Sequence, residues 1–261
     1  MIRRHHDFHI VKPSVWPILV SIGLFSIVIN LVGVFQGLLH SFFFVLISVI
    51  FLCLTIAQWI RDMIRENLYL KKHTLKVKKG ISVGFALFIV SEILFFASFF
   101  WALFHNKLNP SIELGSIWPP FGLVSMKIAI PLANTCILLT SGATITIAHL
   151  YIKKNKNKEG IIYFFFTIML AIIFLLAQLF EYKNSPFSIS EGIYGSVFFM
   201  LTGFHGFHVI LGAIMITVQC LRYIKKQYGS KNHVGFETAA WYWHFVDVVW
   251  LFLFLFLYIN I

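Results

Sequence analysis

The chain has 261 residues, 59% of them hydrophobic and 12% charged, with a formal net charge of +11. A soluble domain carries roughly twice that share of charge, and apolar runs of about twenty residues recur along this chain. Composition therefore excludes a soluble globular protein and points to an integral membrane protein.

Seven spans are predicted in chain order, at 15–38, 40–60, 80–104, 127–152, 160–181, 191–222 and 236–258. The second, HSFFFVLISVIFLCLTIAQWI, holds no Asp, Glu, Lys or Arg. Too little chain lies between spans to build a soluble domain. The side that holds the N-terminus also receives segments 61–79, 153–159 and 223–235, and with them 18 of the 21 Lys and Arg residues. Only Lys107, Lys127 and Lys183 fall on the other side. The positive-inside rule then places the N-terminus in the cytoplasm or mitochondrial matrix. These basic residues sit close to span ends, where phospholipid head groups are the natural counterions. No basic-and-aromatic platform of a nucleic-acid-binding protein is present.

Cys53, Cys136 and Cys220 all fall inside spans and form no CxxC pair, which excludes a disulfide framework and a thiolate metal site. They read as small apolar fillers. Residues 1–14 are polar and basic, and no secretory signal peptide is read there.

The third span contains FIVSEILFFASFF, residues 88–100, with Glu92 near its centre. An ionised acid facing lipid at that depth costs several kcal/mol, so Glu92 is expected to face protein or to hold a proton. It is either a polar tie to another helix or a proton-exchanging group. A metal role has little support, because Phe88, Ile89, Phe95 and Phe96 surround it.

Two loops follow on the outer side. NPSIELGSIWPPFG, 109–122, carries Pro119–Pro120 and an expected extended backbone before the next helix. SPFSISEG, 185–192, places Ser188 and Glu191 at a capping-box spacing. In the sixth span, GFHGFHVILG sets His205 and His208 one turn apart, with Gly203 and Gly206 open to close helix contact. Two imidazoles one turn apart on one helix cannot supply both axial haem ligands; copper or zinc could take both only with further ligands from elsewhere, and hydrogen bonding to other helices is the favoured expectation. In the seventh span, AAWYWHFVDVVW sets His244 and Asp247 one turn apart, able to orient one another or to reach the 191–222 helix. No serine or cysteine nucleophile accompanies them. The residues alone leave two readings open: a helper subunit of a membrane complex, or a small proton-coupled carrier.

The stretches SEILFFASFFWALFH (91–105), GSIWPP (115–120), ISEGIYGSVFFMLTGFHGFHVILG (189–212) and GFETAAWYWHFVDVVWLFLF (235–254) closely resemble subunit III of haem–copper cytochrome c oxidase. HIVKPSVWP, QWIRDMIREN and PLANTCILLTSG match it too, in order and spacing. The resemblance implies an all-α membrane protein of seven transmembrane helices. Two N-terminal helices, 1–75, would splay from a five-helix bundle, 76–261, around a lipid-holding cleft. It implies a non-catalytic core subunit beside catalytic subunit I and the other oxidase subunits. Haems and copper would lie on those partners, none on this chain, and cytochrome c would be met only through the whole complex.

Carried over by position, the lipid-contacting residues are Arg65, Glu66, His73 and Arg222. The membrane acid tied to proton uptake and turnover stability is Glu92, and the structural polar contacts are His205, His208, Glu237, His244 and Asp247. The chain departs from the family pattern at several positions, among them Ile60, Leu150 and Asn232, the last replacing the first of a His pair. A bacterial quinol oxidase subunit III is the nearest alternative, and a free-standing transporter a more distant one. The Phe-, Ile-, Lys- and Asn-rich composition favours a mitochondrial inner membrane over a bacterial plasma membrane, with bound structural phospholipids.

Overall fold

The computed structural model describes residues 8–112, 115–120, 126, 128–230 and 232–259. Among the described residues seven α-helices follow one another: α1 (Trp16–Phe35), α2 (Ser41–Leu68), α3 (Leu75–Leu108), α4 (Ala129–Lys153), α5 (Asn157–Lys183), α6 (Gly192–Ile224) and α7 (Val234–Leu253). A π-helical stretch, Phe254–Ile259, continues α7. All seven are long and apolar enough to cross a membrane. With no water in the hydrocarbon core, only a helix satisfies its own backbone, which is why each long apolar run becomes one. Among the described residues, the Gly229–Asn232 bridge is the one β pairing.

Helix ends differ from the hydropathy reading where charge begins. α2 continues through Arg61, Asp62, Arg65 and Glu66, which were expected to start a loop. Apolarity stops at the hydrocarbon edge, but backbone hydrogen bonding does not, and long cationic side chains reach head-group level from a continuing helix. The capping box at Ser188 and Glu191 is likewise displaced. Ser188 donates to Glu191 Oε1 at 3.1 Å within the loop. α6 begins only at Gly192, with Glu191 as N-cap and no side-chain cap bond. After the cis Trp118–Pro119 bond, the expected extended approach to α4 lies largely outside the described residues.

The contacts divide the chain into two units, Met1–Ile81 and Ser82–Ile261. In the first, α1 and α2 form an antiparallel pair. The Ser26 and Ser48 hydroxyls bond at 2.7 Å, and Asn30 Nδ2 donates to the Ser26 carbonyl. At the end of this pair Trp16 Nε1 donates to Asp62 Oδ2 at 2.9 Å. In the second unit α4 packs on α5, α5 on α6, α6 on α7 and α7 back on α4, closing a ring of four.

The core of that ring is aromatic, with Trp243, Trp250, Tyr194, Tyr242, Phe164, Phe174 and Phe198 fully buried. Each buried indole finds a hydroxyl on α4: Trp243 Nε1 donates to Ser141 Oγ and Trp250 Nε1 to Thr135 Oγ1, both at 3.0 Å. Between α4 and α5 the Thr144 and Thr167 hydroxyls bond at 2.7 Å. The large rings need small neighbours. A Cβ added to Gly212 would meet Trp243 Cε3 at 2.8 Å, so this glycine lets α6 and α7 approach. Gly206, also expected at a close helix contact, meets no other helix of this chain: a Cβ there has nothing within 4 Å. Both lie on α6, but only Gly212 is rotated toward α7.

α3 is held differently. In the most apolar windows, 56% of residues are buried in the last helix but only 6% in α3, so α3 is not a core helix of this chain. It meets α6 and α7 through phenylalanine rings rather than close backbone approach. Phe95 stands edge-on to Phe204 at 5.0 Å, and Phe104 edge-on to Phe256 at 4.9 Å. A groove of about 660 Å³ remains between α3 and α7, lined by Ile93, Trp101, Phe245 and Phe252 among others.

Of the cysteines, Cys220 is a buried filler, whereas Cys53 and Cys136 lie on exposed helix faces. Gly212→Val is expected to cost about 1–3 kcal/mol by overpacking Trp243, read as a lowered melting temperature of the purified assembly. An unchanged melting temperature would contradict the α6–α7 packing described.

Candidate functional site

Glu92 projects from the middle of α3 toward α6, where its Oε2 lies 2.8 Å from His208 Nε2. The other ring nitrogen of His208, Nδ1, is 2.6 Å from the Phe204 carbonyl one turn earlier in α6. A carbonyl oxygen only accepts, so Nδ1 carries a hydrogen and donates it. Nε2 and the Glu92 carboxyl then face each other across a short bond that needs one more proton. That proton belongs either to the acid, leaving both groups neutral, or to the imidazole, making an ion pair. Either way the pair is neutral overall, which answers the cost of placing an acid at this depth.

Aromatic rings enclose the pair. His208 stacks on Tyr242 with centroids 6.2 Å apart and meets Phe96 edge-on at 5.0 Å. Tyr242 in turn stacks on Phe88 of α3. The imidazole side chain is 7% exposed and the Glu92 side chain 22%, so the acid is the end of the pair nearer the surroundings.

His205, one turn from His208, points elsewhere. It is buried between Trp250, at 5.1 Å between centroids, and Phe174, at 5.7 Å. Neither of its ring nitrogens meets a hydrogen-bond partner among the described residues. His244 and Asp247 turn toward α4 and not toward α6. His244 Nε2 lies 3.3 Å from Thr146 Oγ1, and a Cβ on Gly142 would meet Asp247 Oδ2 at 2.5 Å. The two are 3.8 Å apart, too far for a hydrogen bond between them.

Near the inner ends of α4 and α7 a second group forms. Glu237 Oε1 is 3.2 Å from His233 Nε2 and 3.9 Å from His149 Nε2. Sequence reasoning missed His149 and His233. The signal was the i,i+4 spacing of His233 and Glu237, hidden because His233 was read as loop. It also missed Glu181, buried at the outer end of α5, where Tyr258 donates to its Oε1 at 2.6 Å.

The residues expected at lipid head groups fall in both units. In the first, Glu66 Oε2 lies 3.7 Å from His9 Nε2 and 3.9 Å from His73 Nε2, with Arg65 in the last turn of α2. In the second, Arg222 donates from Nε to Gln227 Oε1 and from a terminal nitrogen to Gln219 Oε1. Its guanidinium also lies over the Tyr228 ring. Burial pushes the Tyr228 phenol up, so it stays a neutral donor to the Gln219 carbonyl at 2.9 Å.

A family model for cytochrome c oxidase subunit III matches residues 6–260 of the chain. The chain belongs to that family. Relatives named cytochrome c oxidase subunit 3 agree along nearly their whole length. The one from Yarrowia lipolytica is 47% identical over 254 residues, covering 97% of this chain and 95% of the relative. The one from Chondrus crispus is 48% identical over 256 residues, 98% of this chain and 94% of its own. The one from Pongo abelii is 46% identical over 260 residues, 99% and 98% respectively. The chain is therefore a non-catalytic core subunit of cytochrome c oxidase and a multi-pass protein of the mitochondrial inner membrane.

Because one proton joins Glu92 to His208, a substitution that can still donate to Nε2 should preserve the tie. Glu92→Gln is expected to leave the melting temperature of the oxidase close to that of the parent. Glu92→Leu strands the buried Nε2 and should cost about 1–3 kcal/mol. Equal stability of the two variants would mean that no such bond exists.

Proposed function

We propose that this subunit acts as a polar-stapled, lipid-binding scaffold beside the subunit that carries the haems and copper, and that it holds no redox centre itself. The observation that carries this reading is the divergence of the intramembrane imidazoles. His208 is spent on Glu92, His205 is enclosed by Trp250 and Phe174, and His244 turns to Thr146. Side chains aimed in three directions, two of them hydrogen-bonded to neighbouring helices and the third packed between aromatic rings, tie helices together. They do not converge on a shared iron or copper.

In this reading the N-terminus lies in the matrix, where the basic α2–α3, α4–α5 and α6–α7 connections meet anionic head groups. Arg65 and His73 in the first unit and Arg222 in the second bind lipid phosphate. Glu66 places a carboxylate charge beside His9 and His73, and Gln219 and Gln227 hold the Arg222 fork. The weakly buried apolar faces of α1, α2 and α3 are the surfaces that acyl chains and partner subunits cover. Glu92, with its shared proton and its partly exposed carboxyl, supports proton uptake and the turnover lifetime of the catalytic subunit.

Mild detergent extraction through a tag on this chain should bring down haem-bearing partners. The chain stripped from them should show no haem absorbance and no stoichiometric copper, and haem retained on the stripped chain would defeat the scaffold reading. In the intact oxidase, Glu92→Gln should keep the initial rate of oxygen consumption. It should modestly change proton uptake or the number of turnovers before inactivation. Complete loss of oxygen reduction in a fully assembled variant would show a larger role for the acid.

A further inference from the structure

At the inner ends of α4 and α7, we infer that His149, His233 and Glu237 form a binding site for a divalent transition-metal cation of zinc type. The three ligand atoms converge from two helices. His149 Nε2 and His233 Nε2 lie 3.1 Å apart, His233 Nε2 and Glu237 Oε1 3.2 Å, and His149 Nε2 and Glu237 Oε1 3.9 Å. A tetrahedral zinc with bonds of about 2.0–2.1 Å holds its ligand atoms about 3.3 Å apart. The observed triangle is close to one face of such a tetrahedron.

Hydrogen bonding around the cluster argues for a cation at its centre. His233 Nδ1 lies 3.2 Å from the Gly229 carbonyl, which can only accept, so the hydrogen of the neutral ring sits on Nδ1. Its Nε2 lone pair then faces a carboxylate oxygen at 3.2 Å. Two lone pairs at that distance repel unless something positive lies between them. A single proton settles only one of these contacts: a hydrogen on His149 Nε2 leaves Glu237 facing a lone pair, and one on His233 Nε2 aimed at Glu237, as in the His208–Glu92 pair, leaves His149 Nε2 at 3.1 Å outside that bond. A metal ion satisfies all three atoms at once, and the Gly229 carbonyl supplies the outer hydrogen bond that metal-bound imidazoles use to fix their orientation.

The frame is already ordered. His233 is the N-cap of α7, and its carbonyl accepts the Phe236 and Glu237 amides at 2.9 and 3.0 Å. The Gly229–Asn232 bridge closes the turn that leads into it. His149 is set by edge-on contact with the His233 ring and by Phe236. The His233 side chain is only 8% exposed, whereas His149 and Glu237 are 25% and 32% exposed. That leaves the outward side for a water as fourth ligand. Two imidazoles and one carboxylate form a borderline donor set, suited to zinc and poorly suited to magnesium or calcium. Such an ion would clamp the last turn of α4 to the first turn of α7 on the inner side of the membrane.

The test is a density map of the intact oxidase prepared with a chelator, with added zinc and with added magnesium, together with anomalous scattering at the zinc edge. The inference expects a zinc peak about 2.0–2.3 Å from both Nε2 atoms and from Glu237 Oε1, absent with chelator or magnesium. That peak should vanish in His149→Ala and weaken in Glu237→Gln. No peak in the parent oxidase at saturating zinc would overturn it and leave a protonated His233 bridging its neighbours. So would a peak that survives His149→Ala, or one given by magnesium alone. Should either variant fail to assemble, the parent maps decide.

Discussion

Inside hydrocarbon a polar group has no water to fall back on, and that constraint shapes the ties between helices in the second unit of this subunit. The clearest case is the bond between Glu92 and His208. The Phe204 carbonyl fixes the tautomer of the imidazole, which obliges the acid and the other ring nitrogen to share a proton. The pair is then neutral, directional and long enough to reach from α3 to α6. α3 needs such a bond because its other contacts to α6 and α7 are ring against ring and carry little directional preference.

The same rule sets the aromatic core. Tryptophans 243 and 250 are large enough to fill the centre of the four-helix ring, yet each brings one N–H that must be met. Serine and threonine on α4 meet them, so the polar residues of that helix serve apolar packing. Glycine 212 supplies the missing volume opposite Trp243. Indole, hydroxyl and glycine together define one relative rotation of α4, α6 and α7. At the outer end, Tyr258 and Glu181 repeat the pattern.

Much of this was legible in the sequence, and the illegible part has a common cause. Seven helices could be read because backbone satisfaction in a membrane leaves no other choice. Glu92 could be singled out because it interrupts an apolar run. Its partner could not, since hydropathy along one helix does not report the rotation of another. The same blindness hid Gly212, the α6 glycine that meets α7. It also sent His244 and Asp247 toward the wrong helix. The helical stretch from Arg61 to Leu68, and the meeting of His149 with His233, lie where apolar pattern ends and polar residues look unremarkable. There only the fold brings residues 84 positions apart to 3.1 Å. The family resemblance carried the functional reading, whereas the residues alone stopped at a choice between helper subunit and carrier.

A double-mutant cycle on Glu92 and His208, read as the melting temperature of the purified oxidase, tests the central claim most directly. If the two share a buried proton, His208→Leu and Glu92→Leu should each destabilise, and the double variant should be no worse than either, because apolar groups then face each other. The coupling should fall at about 0.5–3 kcal/mol. Losses that simply add would contradict the account.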